Sequence, residues 1–324
     1  MRPSRKWVGS RMHVVLSSDR IESPLRLPSA MDHASCWVIV VSFNAGPVLS
    51  DCIHALLDSN VPVRIVLVDN ASTDRSLDSV EHRWAEDPRL TILRNARNLG
   101  FAAACNQGLD HVEGRWLVLL NPDCIVERDT LGRMLEAVEG RSDVGMAGCL
   151  IRNLDGTEQA GCRRREPTPM RSVSRVLHLG SRVSGSIGGG SFNMHREPLP
   201  SEPVTVEAIS GAFMLVRREA VERVGPLDEG YFLHCEDLDW CRRFRDAGFG
   251  ILFVPEVEVT HHKGTGSRSR PVWVEWHKHR GMLRYFRKFH RHGHSIWMDL
   301  LVRVGVWGRF GALATVMTVR RFLK

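Results

Sequence analysis

The 324 residues are 43% hydrophobic and 25% charged, enough to bury a full core as one large domain with or without an appendage. No repeat of fixed period is visible and low complexity is confined to the Ser/Gly run at 181–191, so fibrous and repeat architectures are excluded. A formal net charge of +7 and a pI near 9.2 call for an anionic partner, whether nucleotide, nucleic acid or membrane.

Residues 1–33 are basic, with Arg2, Arg5, Lys6 and Arg11, and hold only a short apolar run at 12–16. No signal peptide is expected from that pattern, and the segment reads as a disordered extension. The run CWVIVVS at 36–42 is apolar, β-branched and too short for a helix, and Pro47 in the following FNAGP is placed to open a helix at Val48. This strand, loop, helix unit recurs at 64–68, DNASTD and 76–85; at 90–93, RNARNLG and 101–111; and at 116–120, NPD and 130–138. Such alternation predicts an α/β parallel sheet with right-handed crossovers, whose ligands sit beyond the carboxyl ends of the strands.

Ser42, Asn44, Asp69, Asp74, Asn98 and Asp123 all fall at those ends. Neither GxGxxG after the first strand nor GxxxxGK[ST] is present, which removes the two common phosphate cradles. What remains is a set of strand-end carboxylates. Asp69 stands where a ribose hydroxyl could be gripped, and Asp123 where a divalent metal could be held against a diphosphate. Plainer readings stay open: Asp74 as a helix cap, and Asn121-Pro122-Asp123 as an ordinary turn.

Residues 161–203 contain RRREPTP and SGSIGGGS, show little periodicity and read as a mobile loop. The next stretch, 211–248, crowds Glu236, Asp237 and Asp239 onto the first turn of a helix, where mutual repulsion should raise the pKa of one of them toward that of a base. Arg242 and Arg243 on the same helix are expected to pair with Glu236 in preference to a phosphate. A strand at 251–254 and a turn at Pro255 lead to His261 and His262. The eight cysteines form no CxxC pair and lie mostly in apolar runs, as buried thiols of a reducing compartment do. Cys235, Cys241, His261 and His262 match no standard zinc spacing.

Cations are dense at 1–26, at 163–165 and at 278–291, the last interleaved with Trp273, Trp276, Tyr285, Phe286 and Phe289 and read as a membrane-surface segment. The most hydrophobic stretch, 296–319, holds Asp299, Arg303 and Arg309 and so falls short of an uninterrupted spanning helix; Trp297 and Trp307 would anchor it at an interface. The competing reading is a pair of helices packed on the main domain or on a second copy.

Seven motifs in fixed order, VSFN, VDNASTD, NLGFAAACN, LLNPD, SGAFMLVRR, EDLDWCRR and THHKGTGS, resemble those of family 2 glycosyltransferases with the GT-A fold, most of all rhamnosyltransferase-type members. The resemblance covers 36–266. It implies a Rossmann-like, mixed but mostly parallel sheet flanked by helices in a catalytic domain at 34–268, followed by a helical appendage at 269–324. It implies that Ser42, Asn44 and Asp69 bind nucleobase and ribose, with Asn98 and Gly100 as the next nucleotide-side motif. Asn121-Pro122-Asp123 stands where the family has DxD, so Asp123 is the expected ligand of Mg2+ or Mn2+, with one carboxylate fewer than a strict DxD. His261, or else His262, would complete the metal or diphosphate site, and Lys263 with the following GTGSRSR would close over phosphate.

By the same resemblance Asp237 is the general base of an inverting transfer, with Glu236 as the substitute. Ser210, Gly211 and Ala212 would shape the acceptor and donor-sugar pocket, Asp239 would be structural or orient the acceptor, and 161–203 would be an acceptor-side loop. The implied reaction moves L-rhamnose from dTDP-L-rhamnose to a lipid-linked or growing cell-envelope glycan, with a UDP-sugar donor as the alternative. The implied partners are a nucleotide sugar, a glycan or polyprenyl-diphosphate-linked acceptor and an anionic membrane surface on the cytoplasmic side, with a second copy in a homodimer as the further alternative. A non-catalytic glycan- or nucleotide-binding protein is the reading from another class, and the set Asp69, Asp123, Asp237 and His261 argues against it. Nucleic acid is suggested by net charge alone, without a recognised motif.

Overall fold

Apolar, β-branched runs suit a sheet covered on both faces, and those of the N-terminal half pair side by side here. The computed structural model describes residues 36–168, 191–262, 270–290 and 295–322. Strands β1 (Cys36–Ser42), β2 (Val63–Asp69), β3 (Leu90–Arg94) and β4 (Trp116–Leu120) alternate with helices α1 (Val48–Leu57), α2 (Ser76–Trp84), α3 (Phe101–Leu109) and α4 (Thr130–Val138), with a short β5 (Cys124–Val126) before α4. There follow β6 (Val144–Arg152), β7 (Arg163–Arg164), β8 (Val204–Thr205), β9 (Ala208–Ile209), β10 (Phe213–Arg217), α5 (Arg218–Val224), α6 (Glu236–Asp246), β11 (Gly250–His261), α7 (Pro271–Phe289) and α8 (Ile296–Phe322).

The main sheet has nine strands in the order β3-β2-β1-β4-β10-β6-β11-β5, with β8 paired to β11. β3, β2, β1 and β4 run parallel, β10 runs antiparallel to β4 and β6, and β6 and β11 are parallel again. The mixed, mostly parallel sheet expected from the motifs is therefore present. Chain order reverses at β1, which has β2 on one side and β4 on the other, and such a switch point opens a crevice for ligand. In-register pairing of Ser42 with Asp69 and of Asp69 with Arg94 brings the ends of β1, β2 and β3 to one edge. Helix α3 packs directly onto β1 because Gly108 has no side chain; a Cβ there would lie 2.5 Å from Ile39.

One expectation about the strands changes. Pro255 does not end the seventh long strand: β11 runs through to His261, with a register shift between Val254 and Glu258. A bulge tolerates the missing proline N–H, which a regular ladder would not. The zinc alternative does not form, since Cys235 Sγ lies against the Lys278 carbonyl and Cys241 Sγ against Met146 Sδ, and all eight cysteines are buried free thiols. Burial alone pushes the Cys36 thiol up to about 12, so it is inert as a nucleophile.

The tail divides. Helix α7 packs on the domain through buried Leu283, Tyr285 and Phe286. Helix α8 pairs with α7, and its 296–320 stretch has a mean hydropathy of 1.4 with none of that window buried. By length and composition it is long and apolar enough to cross a membrane, despite the charges that interrupt its apolar run; Arg303 and Asp299 pair with each other at 2.6 Å. The extension at 1–33, residues 169–190 of the proposed loop, and Lys263 with most of the segment after it lie outside the described residues.

Candidate active site

The loops after β1 and β2 are laced together. Asn44 adopts a left-handed backbone at φ 51°, which asparagine accommodates better than most residues. Its N–H donates to Ser72 Oγ (3.0 Å) and its Oδ1 accepts from Thr73 N–H (2.7 Å). Asp74 accepts from the N–H groups of Gly46 (2.8 Å) and Ser76 (3.0 Å), so it ties the loops and caps the start of α2 at once. Against the opposing effect of burial, the bonds from Ser76 and Gly46 hold its carboxyl below the ordinary aspartate value. Ser42 and Asp69, the neighbouring strand ends, are both buried; Asp69 Oδ2 accepts from Ser72 N–H, whereas Asp69 Oδ1 and Ser42 Oγ have no protein partner. Two orphaned polar atoms at the switch point are what a ribose or base would satisfy.

Asn70, which sequence reasoning passed over, is the hub of the next loop. Its Nδ2 donates to Asn98 Oδ1 (3.0 Å) and to the Gly100 carbonyl (3.2 Å), while its Oδ1 accepts from Leu99 N–H (2.9 Å) and Asn95 Nδ2 (3.1 Å). Asn98 Oδ1 also accepts from Gly100 N–H, so Asn98 braces this loop. Gly100 sits at φ 90° and a Cβ there would fall 2.7 Å from the Phe232 carbonyl, two independent reasons for glycine.

On the other side of β1, Asp123 and His261 meet. Pairing of β5 with β11 sets His261 opposite Cys124, and His261 Nε2 lies 3.0 Å from Asp123 Oδ1 and 3.3 Å from Asn121 Nδ2. His262 reaches Asp123 through its backbone N–H, so His261 is the one of the two whose ring faces the carboxylate. Gln159, 4% exposed and unsuspected from sequence, places its Oε1 2.7 Å from His261 Nδ1. Its Nε2 donates to Asn153 Oδ1 (3.0 Å), which fixes the amide and makes Oε1 the acceptor of an Nδ1–H. The Nε2 lone pair then points toward Asn121 and Asp123. Two facing acceptors at this separation suit a hard divalent cation, since octahedral ligands at about 2.1 Å stand about 3 Å apart. Among the described residues no third His, Cys, Asp or Glu joins them, so further ligands would come from Asn121, substrate oxygens or water.

The three carboxylates of α6 separate by environment. Asp237 Oδ2 accepts from Arg164 Nη2 (2.6 Å) and Gly211 N–H (3.1 Å), and its Oδ1 from Leu238 N–H (2.8 Å). Burial works to raise its pKa, yet the Arg164 guanidinium and these N–H groups hold it below the ordinary value. Glu236 is pushed up to about 8 by burial and by the adjacent Asp237 charge, and its Oε2 has no partner. The raised pKa expected on this turn thus falls on Glu236. Asp239 is 0% exposed and takes Arg243 at 2.6 Å and Lys288 at 2.7 Å. The expected pairing of Arg242 and Arg243 with Glu236 is corrected: Arg243 reaches back one turn to Asp239, and Arg242 pairs with Glu166 and Asp246, because Glu236 lies on the buried face.

Arg164 comes from the basic RRREPTP run and is aimed at Asp237 by the β7–β9 pairing. Sequence marked it only as a cation. The turn at 210–212 joins both halves of the site: Gly211 N–H binds Asp237, the Ala212 carbonyl accepts from Asn121 N–H (3.0 Å), and Ser210 Oγ accepts from Ala212 N–H (3.2 Å). The base side and the Asp123 side are therefore two ends of one short connection.

Comparison with known proteins agrees with this fold. Residues 37–225 match the profile described as Glycosyl transferase family 2. An N-acetylglucosaminyl-diphospho-decaprenol L-rhamnosyltransferase of Mycobacterium tuberculosis is 30% identical over 247 residues, covering 72% of this chain and 78% of the relative. The rhamnosyltransferase WbbL of Escherichia coli is 30% identical over 154 residues, covering 48% of this chain and 54% of the relative. Among solved structures, mannosyltransferase PcManGT from Pyrobaculum calidifontis in complex with GDP-Man and Mn2+ superposes with a TM-score of 0.55 at 20% identity, covering 88% of this chain and 75% of that one. GalNAc-T7 with UDP, GalNAc and Mn2+ gives 0.52 at 20% identity, over 70% and 43% of the respective chains. At such identities the structural likeness is one of fold, the GT-A glycosyltransferase fold. A profile that matches more than half of the chain, together with a relative at 30% identity across most of it, establishes that this protein is a glycosyltransferase and belongs to glycosyl transferase family 2.

Proposed function

We propose that the enzyme inverts configuration while moving L-rhamnose from dTDP-L-rhamnose to a polyprenyl-diphosphate-linked glycan of the cell envelope, working on the cytoplasmic face of a membrane. The observation that carries this reading is the division of labour on α6: Asp237 is kept ionised by Arg164 while its neighbour Glu236 is kept protonated. Asp237 accepts the proton of the acceptor hydroxyl as that oxygen attacks the anomeric carbon, and the nucleoside diphosphate departs from the opposite face. Oδ1, which accepts only the Leu238 N–H among the described residues, is the oxygen with room for that proton.

On the donor side, Ser42 Oγ and Asp69 Oδ1 hold the nucleoside through the bonds they lack in the protein alone. Asp123 and His261, with Asn121 beside them, hold Mg2+ or Mn2+, and Gln159 keeps the His261 lone pair turned to it. When bound, the ion supplies positive charge against the diphosphate as it leaves. The exposed α8 and the named acceptor of the Mycobacterium tuberculosis relative support a lipid-linked acceptor; that relative and WbbL support rhamnose.

The test incubates the full chain with Mg2+ or Mn2+, a panel of dTDP-, UDP- and GDP-sugars and a polyprenyl-diphosphate sugar acceptor, and measures nucleoside diphosphate release. Acceptor-dependent dTDP release from dTDP-rhamnose is the expected result. Selective UDP release would replace the donor, and turnover with none of them would overturn the reading.

A further inference from the structure

Helix α7 carries Arg280, Arg284, Arg287 and Lys288 on one exposed stripe at i, i+4, i+7 and i+8. With Asp228 and Gly230 they line a cavity of about 370 Å3, four cations against one carboxylate. Half of this charge is built in. Arg284 lies flat on the Gly230 backbone, where any side chain would collide with its guanidinium, and binds Asp228 through Nη2 (2.7 Å) and Nε (3.2 Å). Lys288 bridges Asp228 (2.8 Å) and the buried Asp239 (2.7 Å). The other two cations are not neutralised: among the described residues neither Arg280 nor Arg287 pairs with a carboxylate, and Arg280 stacks over Trp276 at 5.3 Å.

The cavity lies outside the catalytic cleft. Asp239 and Asp237 are two residues apart on α6 and so face different sides of it, the first toward Lys288 and the second toward Arg164 and Gly211. No described α8 residue lines the cavity; α8 packs on α7 one residue before Arg280, through Arg309 and Phe310 against His279. Toward its N-terminus α8 exposes Ile296 (79%) and Trp297 (75%), with Leu300, Leu301 and Val304 also turned outward. A free phosphate would use the cations and leave this apolar face unanswered. A phospholipid answers both.

We propose that this cavity is a headgroup site for an anionic membrane lipid: Arg280 and Arg287 take the phosphate oxygens, positioned by the Arg284–Asp228–Lys288 floor, while the apolar face of α8 enters the acyl boundary. The proposal rests on the reading that the enzyme works at a membrane and adds the residues that select its charge.

The test floats the full chain with vesicles of phosphatidylcholine alone or of phosphatidylcholine with phosphatidylglycerol. Binding that requires phosphatidylglycerol and falls with salt is expected. Arg280→Gln with Arg287→Gln should cut the bound/free ratio by about fivefold per charge, about 25-fold together, while Arg280→Lys with Arg287→Lys restores most of it. Both double variants should keep the wild-type circular dichroism and dTDP release with a water-soluble short-chain acceptor. If the glutamine pair binds phosphatidylglycerol vesicles as wild type does while Trp297→Ser with Leu301→Ser abolishes binding, the headgroup site is wrong and the membrane reading survives. Binding to neither vesicle sinks both. Displacement by inorganic phosphate beyond that by chloride at equal ionic strength would mark a free-phosphate site and overturn the lipid assignment.

Discussion

The proposed donor edge and the proposed base edge of this site are built from different materials. Around Ser42, Asn44, Asp69 and Asn98 the loops are held mainly by neutral amides and hydroxyls, with Asn70 bonded to four residues of the next loop and Asn44 to two of its neighbour. The Asp69 and Asp74 carboxylates accept loop N–H groups there, without an ion pair among the described residues. Around Asp237 and Asp239 the work is done by ion pairs with Arg164, Arg243 and Lys288. A mainly neutral lattice fixes position through directional bonds, which suits recognition of a nucleoside. A charged one sets which carboxylate is ionised, which suits proton transfer.

Variants that erase charge on the base edge should therefore change rate and pH dependence while leaving nucleotide affinity alone. Asp237→Asn removes the proposed base and is expected to lower turnover by about 10^3-fold, with nucleotide binding by calorimetry intact; full activity in this variant would end the base assignment. The Asp123 and His261 pair lies between the two materials. Gln159→Leu frees His261 to place its proton on Nε2, so Mn2+ affinity in the presence of nucleotide diphosphate should weaken by about 10–100-fold, read by calorimetry or by the Mn2+ resonance signal. Metal-free nucleotide binding should not move.

Arg164→Met takes away the cation that depresses Asp237. The ionised carboxylate is the active form, so the acid limb of kcat/KM is expected to move up by about one to three pH units, with little loss on the alkaline side. Stability follows the same sign: a depressed carboxylate contributes above its unfolded pKa, and that contribution is lost as pH falls through the folded value. Glu236→Gln should have the smallest kinetic effect near neutrality, because the glutamate is already protonated below about 8. Its signature is thermal. A group raised on folding contributes stability fully present below its unfolded pKa and lost as pH rises through about 8, so wild-type Tm should decline over that window and the variant's should decline less.

The donor edge was legible because parallel strands deliver their ends to one side regardless of distant contacts, so Ser42, Asp69 and Asp123 follow from three apolar runs and what comes after each. Gly100 was legible as a motif, although its reason, the approach of the Phe232 carbonyl, lies far along the chain. Gln159 and Arg164 were not. Gln159 sits in an irregular segment and Arg164 in a two-residue strand, and they reach their partners across 102 and 73 residues, where neither period nor motif spacing carries a signal.

Local pattern alone determined the alternation of strands and helices, the carboxylates at the strand ends and the crowding of three acids on the first turn of α6, because all of these depend on neighbours within a few residues. Tertiary structure decided which acid is ionised, since that depends on which one meets Arg164 and which one is buried unpaired. It also decided that His261 faces Asp123 through the β5–β11 register, and that α7 joins the core while α8 stays exposed. Protonation, metal-ligand geometry and exposure are properties of an environment, and an environment is assembled only when distant segments close around the group.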